Sequence, residues 1–249
     1  MYNFRSKSDT LKFLKRKNIN VNNFISFKKH QILKNNNWIT KVKKKLKSKS
    51  IIIRSSALDE DKIDGSNAGK YTSIKIDRYN DKNLIQNTKK IIGKFQSMND
   101  LIIFQEFLGE TEMSGVVFTR DINNLAPYYV INYDLSGKTN LITSGKKNLS
   151  QKTLIIYREF KKIPGKFSKL IKVCKFLEKI LGNDCLDIEF AIKQDKVFIF
   201  QARPIFNNQK KISDKVINSI LVNIEKKIRK LQKSSPLIDG KTTIFSNMS

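Results

Sequence analysis

Asp187-Ile188-Glu189-Phe190-Ala191-Ile192-Lys193-Gln194-Asp195-Lys196-Val197-Phe198-Ile199-Phe200-Gln201-Ala202-Arg203-Pro204-Ile205 is two apolar runs flanking a polar turn. That pattern predicts a β-hairpin. Counted back from the turn, Glu189 and Gln201 fall at about the same level of the two strands. Strand alternation then puts both side chains on one face. A carboxylate and an amide oxygen projecting together form a hard-oxygen site suited to Mg²⁺ carrying a nucleotide phosphate. Arg203, two residues past Gln201, shares that face and offers a donor fork to phosphate oxygens. An ordinary hairpin with a polar solvent face fits these residues equally well.

The rest of the chain supports a globular protein. Its 249 residues, 39% of them hydrophobic and 16 of them Phe, suffice for one large domain or two modest ones. No long apolar run predicts a membrane span, and Met1-Tyr2-Asn3-Phe4-Arg5 is not the start of a signal peptide. Cys174 and Cys185 lack zinc-type spacing and are expected to be buried, reduced thiols. A cytoplasmic location is the expectation. The net charge of +27 suggests nucleic acid, but 41 of the 49 basic residues are lysine spread along the whole chain. Basic clusters at 41–49 and 226–233 sit in helical patterns, where a solvated lysine face is the usual outcome. No recognition-helix, zinc-finger or RNP-type motif accompanies them, so nucleic acid is not the expected partner.

Along the chain, periodicity predicts a helix from Ser8 to Lys17 capped by Ser8 or Asp9, an extended segment over 21–27 and a helix over 31–47. A short strand, Ile51–Ile53, ends at Arg54-Ser55-Ser56. A loop follows over 57–71, then a strand over 71–76 and a helix over 83–95. Strands are predicted at 101–107, 114–119, 128–133, 141–143 and 154–157, with an amphipathic helix over 167–181. After the opening hairpin come a basic helix over 212–231 and a final strand starting at 242. The order is α+β with an antiparallel-rich sheet.

Four segments carry chemistry. Arg54 at a strand end beside small hydroxyl residues is placed to reach phosphate oxygens. The loop with Ser66, Ala68, Gly69 and Lys70 has small residues that permit close backbone approach to a nucleotide, though it lacks P-loop spacing. Phe104-Gln105-Glu106-Phe107 closes an apolar strand as a hinge would, with backbone groups and an acidic side chain set to read adenine and ribose. Gly115 within Ser114-Gly115-Val116-Val117-Phe118-Thr119-Arg120-Asp121 marks the close approach of a ligand or of another backbone. Each of these segments fits a plain structural role as well.

The order R-S-S-A-x-x-E-D from Arg54, S-x-A-G-K from Ser66, Q-E-F from Gln105, S-G-V-V-F-T-R-D from Ser114, D-I-E-F-A from Asp187 and Q-A-R-P-I from Gln201 resembles the nucleotide-binding domain of the pyruvate phosphate dikinase and phosphoenolpyruvate synthase family. The segment Ser6-Lys7-Ser8-Asp9-Thr10-Leu11 is similar to that family's N-terminal signature. The resemblance implies an ATP-grasp fold, with ATP between two α+β lobes. These are expected at about 1–100 and 101–206, followed by a helical extension over 207–249 leading to a further domain. It implies Lys7, Arg54 and Arg203 on ATP phosphates, Glu189 and Gln201 on Mg²⁺, and Gln105, Glu106 and Phe107 around adenine. Ser66, Gly69 and Thr119 would complete the nucleotide contacts. It also implies a phosphotransferase that passes a phosphoryl group from ATP to a histidine on another domain or protein. Relatives of that family phosphorylate antibiotics or glucans instead, and a module that binds ATP without turnover fits the same residues. Two departures stand out. Asn132-Tyr133-Asp134-Leu135-Ser136-Gly137 occupies the place of the family's Gly-rich segment, with Thr143-Ser144-Gly145 as a substitute. The one histidine, His30, lacks phosphohistidine flanks and is expected to be a surface or packing residue.

Overall fold

Local sequence accounts for most of the elements in the computed structural model, which describes residues 2–4, 6–56, 73–137, 150–160, 162–163, 165–207 and 213–234. Helix α1 (Lys7–Arg16) starts earlier than its periodicity implies, because Ser6 is extended and its side chain accepts from the Asp9 amide. Strand β1 (Phe24–Lys28) leads into α2 (Lys29–Lys34) and α3 (Asn37–Lys45). The single helix expected over 31–47 is therefore two. Asn35 breaks it with extended backbone (φ −168°), and its side chain accepts from the Asn37 amide at 3.0 Å. Strand β2 (Ser50–Ser56) runs past the expected end, since Arg54, Ser55 and Ser56 stay in the ladder. Next come β3 (Ile74–Asp77), α4 (Asp81–Ile92) and β4 (Leu101–Glu106). The loop over 57–71, with Ser66 and Gly69, and the strands expected at 141–143 and 242–245 lie outside the described residues.

These strands form one antiparallel sheet in the order β1-β4-β2-β3. Strand β4 pairs on both sides inside it, so this sheet takes in residues up to Glu106. One face of this sheet carries Phe27, Ile51, Ile53, Ile102 and Phe104 against Trp38, Val42, Leu84 and Ile91 of α3 and α4. Trp38 stacks on Phe104 with centroids 5.3 Å apart, worth about 1 kcal/mol beyond burial alone. The opposite face presents Ile52, Arg54, Lys75 and Gln105, by strand alternation.

The second sheet runs β7 (Lys152–Tyr157), β6 (Tyr128–Asp134), β5 (Met113–Phe118), β8 (Leu186–Lys193), β9 (Lys196–Pro204). Val117, Tyr129, Ile131, Ile188, Phe190 and Ile199 share a core with Leu170, Cys174, Leu177 and Leu181 of α5 (Gly165–Leu181) and with Leu11 and Leu14 of α1. Helix α1 thus belongs to the second core by packing, although it opens the chain. Gly115 answers its sequence reading: a Cβ there would sit 2.1 Å from the Asn132 carbonyl oxygen, so backbone makes the close approach. Helix α6 (Asp214–Ser234) buries no residue and is held at its start by Arg120. The Arg120 side chain, 1% exposed, lies between the carboxylates of Asp184 and Asp214. No described helix is long and apolar enough to cross a membrane. His30 is exposed, with Nδ1 3.2 Å from the Met98 carbonyl oxygen. Cys174 is buried and Cys185 half-buried.

Candidate functional site

The hairpin folds in the expected register, with Glu189 directly opposite Gln201 and Asp187 opposite Arg203. Opposed residues of antiparallel strands share a face, so these four side chains form a two-by-two block on β8 and β9. A bulge after Glu189 absorbs one residue of β9, which lets the turn close over Gln194 and Asp195 while the block keeps its pairing. Arg203 Nε donates to Asp187 Oδ2 at 2.9 Å, a charge-assisted bond that restrains the guanidinium. Gln201 is buried and Glu189 partly so.

The first sheet contributes Arg54 from across the lobes. Its Nη2 donates to Glu189 Oε2 at 2.6 Å, and Nη1 reaches the Phe200 carbonyl oxygen at 3.4 Å. Arg54 Nε points to Ser73 Oγ at 3.3 Å. Ser56, two residues beyond Arg54, accepts from the Ser8 amide at 3.1 Å and so seats the first turn of α1. That contact brings Lys7 near the block, where its charge acts on Glu189. Burial pushes the Glu189 carboxyl up, but Arg54, Lys7 and Arg203 outweigh it and hold the group below the usual carboxylate range. Glu189 is thus an anion within a ring of three cations.

This donor set fits Mg²⁺ in a particular way. Glu189 and Gln201 supply one charged and one neutral oxygen from adjacent strand positions. Among the described residues no group of three or more His, Cys, Asp or Glu side chains can hold a metal by itself. Mg²⁺ is often held by one or two carboxylates plus phosphates and water, which is the partial shell offered here. The three cations match the remaining need, for phosphate oxygens.

Other candidates are placed differently. Gln105 lies on the cleft face with Arg54, 2% exposed, and its Nε2 has no hydrogen-bond partner among the described residues. A buried amide donor left without an acceptor is costly, which marks this point as one where a ligand acceptor is wanted. The Glu106 side chain is on the opposite face. Its carboxylate accepts from the Lys47 and Ser48 amides and from Asn23 Nδ2, and its own amide and carbonyl pair with Asn23 and Asn22. That carboxylate clasps two loops. Phe107 has the Lys75 ammonium 3.8 Å from its ring centroid, at the same end of the cleft face. Thr119 sits at the end of β5, inside the second sheet. Its hydroxyl donates to the Asp184 carbonyl and accepts from the Leu186 amide, so it stitches β5 to β8 and stays fully buried. Ser66 and Gly69 lie outside the described residues. Sequence reading passed over Asp187 and Ser56, although two-residue alternation from Glu189 and from Arg54 marks both.

No family model and no curated protein matches the chain. Solved structures do. D-alanyl-alanine synthetase A from Vibrio cholerae shares 13% identity at a TM-score of 0.50, over 84% of this chain and 58% of that one. An L-amino acid ligase from Bacillus licheniformis shares 13% identity at a TM-score of 0.49, over 82% and 43%. An ATP-grasp RimK domain protein from Sphaerobacter thermophilus shares 10% at a TM-score of 0.44, over 82% and 61%. The chain spans about half the length of the solved structures it matches. At such identities the likeness speaks to the backbone alone, and it agrees with the two antiparallel sheets described above: the chain has the ATP-grasp fold.

Proposed function

We propose that this chain binds Mg·ATP between its two sheets and donates a phosphoryl group to a histidine on another domain or protein, as in the pyruvate phosphate dikinase and phosphoenolpyruvate synthase family. One observation carries the ATP reading: Lys7, Arg54 and Arg203, from three separate elements, converge on Glu189 beside Gln201. Phosphoryl transfer asks a protein mainly to position two groups and to neutralise charge, and this cluster is built for both. Glu189 and Gln201 would hold the metal, which when bound neutralises phosphate charge. Arg54 is held by Glu189 before nucleotide arrives, and its fork turns to the phosphates without leaving the cleft. Arg203, fixed by Asp187, lies on the same face and orients the group being transferred. Gln105 offers its free amide donor to the base. The histidine acceptor is supported by the order of motifs from Arg54 to Ile205, and His30 is too far from this arrangement in kind: exposed, on α2, and bonded to the Met98 carbonyl.

Labelled ATP tests this directly. With Mg²⁺ and a purified phosphohistidine domain, label is expected on the partner in an acid-labile, base-stable form. Label on a carboxylate or hydroxyl would overturn the acceptor and leave the ATP site standing. Absence of Mg·ATP binding by calorimetry would overturn the whole reading.

A further inference from the structure

The cavity between α6 and the outer strands β6 and β7 lies on the same sheet face as the Glu189 block, but at the other side of the sheet. Its volume is about 510 Å³. Tyr128 and Tyr157 are direct cross-strand partners and form its wall, with ring centroids 5.6 Å apart and planes at 52°. Leu221 and Val222 of α6 close the opposite side. Asn218 fastens the two halves by accepting from the Tyr157 hydroxyl. Two carboxylates, Glu159 and Glu225, also line it.

The charge is what singles this cavity out. In a chain of net charge +27, every ionised side chain that lines it among the described residues is acidic. Glu159 is exposed and has no ion-pair partner among the described residues. Among the described residues Glu225 pairs with Arg229, one turn further along α6, at 2.7 Å and largely in solvent. The Tyr157 phenol is pushed up by burial, then by Glu159, Tyr128 and Asp214. Nearby Arg158 turns away, to Glu178 and the Thr119 carbonyl behind the sheet. Tilted aromatic faces with carboxylates at the rim, between aliphatic walls, form a receptor for an ammonium on a short alkyl chain. The rings and rim attract the cation while Leu221 and Val222 cover its methylenes.

We propose that the Tyr128–Tyr157 cavity is a binding site for a primary alkylammonium group, supplied either by a small amine or by a lysine side chain of a partner. The site stands independently of the ATP reading. No described residue of the cavity belongs to the Glu189 block, and loss of nucleotide binding leaves it unaltered.

n-Butylammonium serves as the probe, titrated into the full chain by calorimetry and followed by tyrosine ring proton shifts. Saturable one-to-one binding is expected, with Tyr128 and Tyr157 shifting first. Glu159→Gln, an exposed and isosteric change, is expected to weaken binding by about fivefold, the size of one exposed ion pair. Tyr128→Ala is expected to weaken it by about tenfold or more through loss of a ring face, with thermal melting to establish that the variant folds. A lysine-bearing peptide that binds tighter than the free amine identifies a partner side chain as the source; equal or weaker binding identifies a small amine. Equal affinity for neutral n-butanol would reduce the cavity to an apolar crevice and overturn the proposal. Affinity unchanged in Glu159→Gln, or no binding at concentrations where free lysine side chains associate, would overturn it as well.

Discussion

Replacing Arg54 with Gln removes an ionic bond that joins the two sheets at the candidate site. Both partners are largely sheltered, with side chains 15% and 18% exposed, and the contact is 2.6 Å. A sheltered charge-assisted hydrogen bond contributes about 2 kcal/mol. Lys7 and Arg203 remain near Glu189, so the loss is not that of an isolated buried charge. For a chain of this length a loss of about 2 kcal/mol lowers the melting temperature by about 4–8 °C. The sign of the pH dependence follows from Glu189. Its folded carboxyl is lowered, so its contribution is fully present above the unfolded value of about 4.3 and is lost as pH falls through the folded one. The stability gap between wild type and Arg54→Gln is therefore expected to be full at pH 7 and to close as pH drops below about 4. Urea unfolding at both pH values reads it. A gap of equal size at pH 7 and in acid would refute the pairing, because a lost packing contact has no such dependence. In the same variant, Mg·ATP affinity is expected to fall on the order of 10- to 100-fold by calorimetry.

Glu189→Gln and Gln201→Leu are each expected to cut the Mg²⁺-dependent part of ATP affinity by about tenfold or more, while affinity in chelator stays unchanged; a loss equal in both conditions speaks against metal ligation. Arg120→Met leaves Asp184 and Asp214 facing each other without their cation and is expected to cost about 3 kcal/mol. Its specific signature is faster hydrogen exchange along α6, with α5 unaffected; uniform exchange across both helices would contradict the tether. Gly115→Ala forces a Cβ into the Asn132 carbonyl and is expected to destabilise by more than about 2 kcal/mol in a melting assay, whereas wild-type stability in that variant would mean that β5 and β6 can separate. Cys174 is buried and its thiol is pushed up by burial and then by Glu178, so it is expected to resist thiol reagents in the folded chain while Cys185 reacts first.

Sequence patterns located most elements because the local rules agreed with the packing. The hairpin register was legible from Glu189 and Gln201, since a polar turn and period-two alternation leave one solution. Where the reading strayed, a nonlocal partner had taken over. The strand at Ile51–Ile53 grows to Ser56 because β4 continues the ladder beside Arg54. Three consecutive asparagines split a lysine-rich helix whose propensity is otherwise good. Glu106 follows Gln105 in sequence, yet strand alternation sends its side chain to the other face, where two loop amides claim it.

By itself the sequence determined the hairpin, the α+β order and the residue types of the site, all of which depend on spacing within single segments. Only the tertiary structure decided which of those residues meet. Arg54 and Glu189 are 135 positions apart, and Lys7 comes from a third element seated by Ser56. No periodicity encodes such a meeting, because it depends on how two sheets face each other. The acidic, aromatic cavity under α6 is of the same kind. Tyr128, Tyr157 and Glu225 are unremarked in the chain and acquire their chemistry from strand pairing and from the Arg120 anchor that sets the helix down beside them.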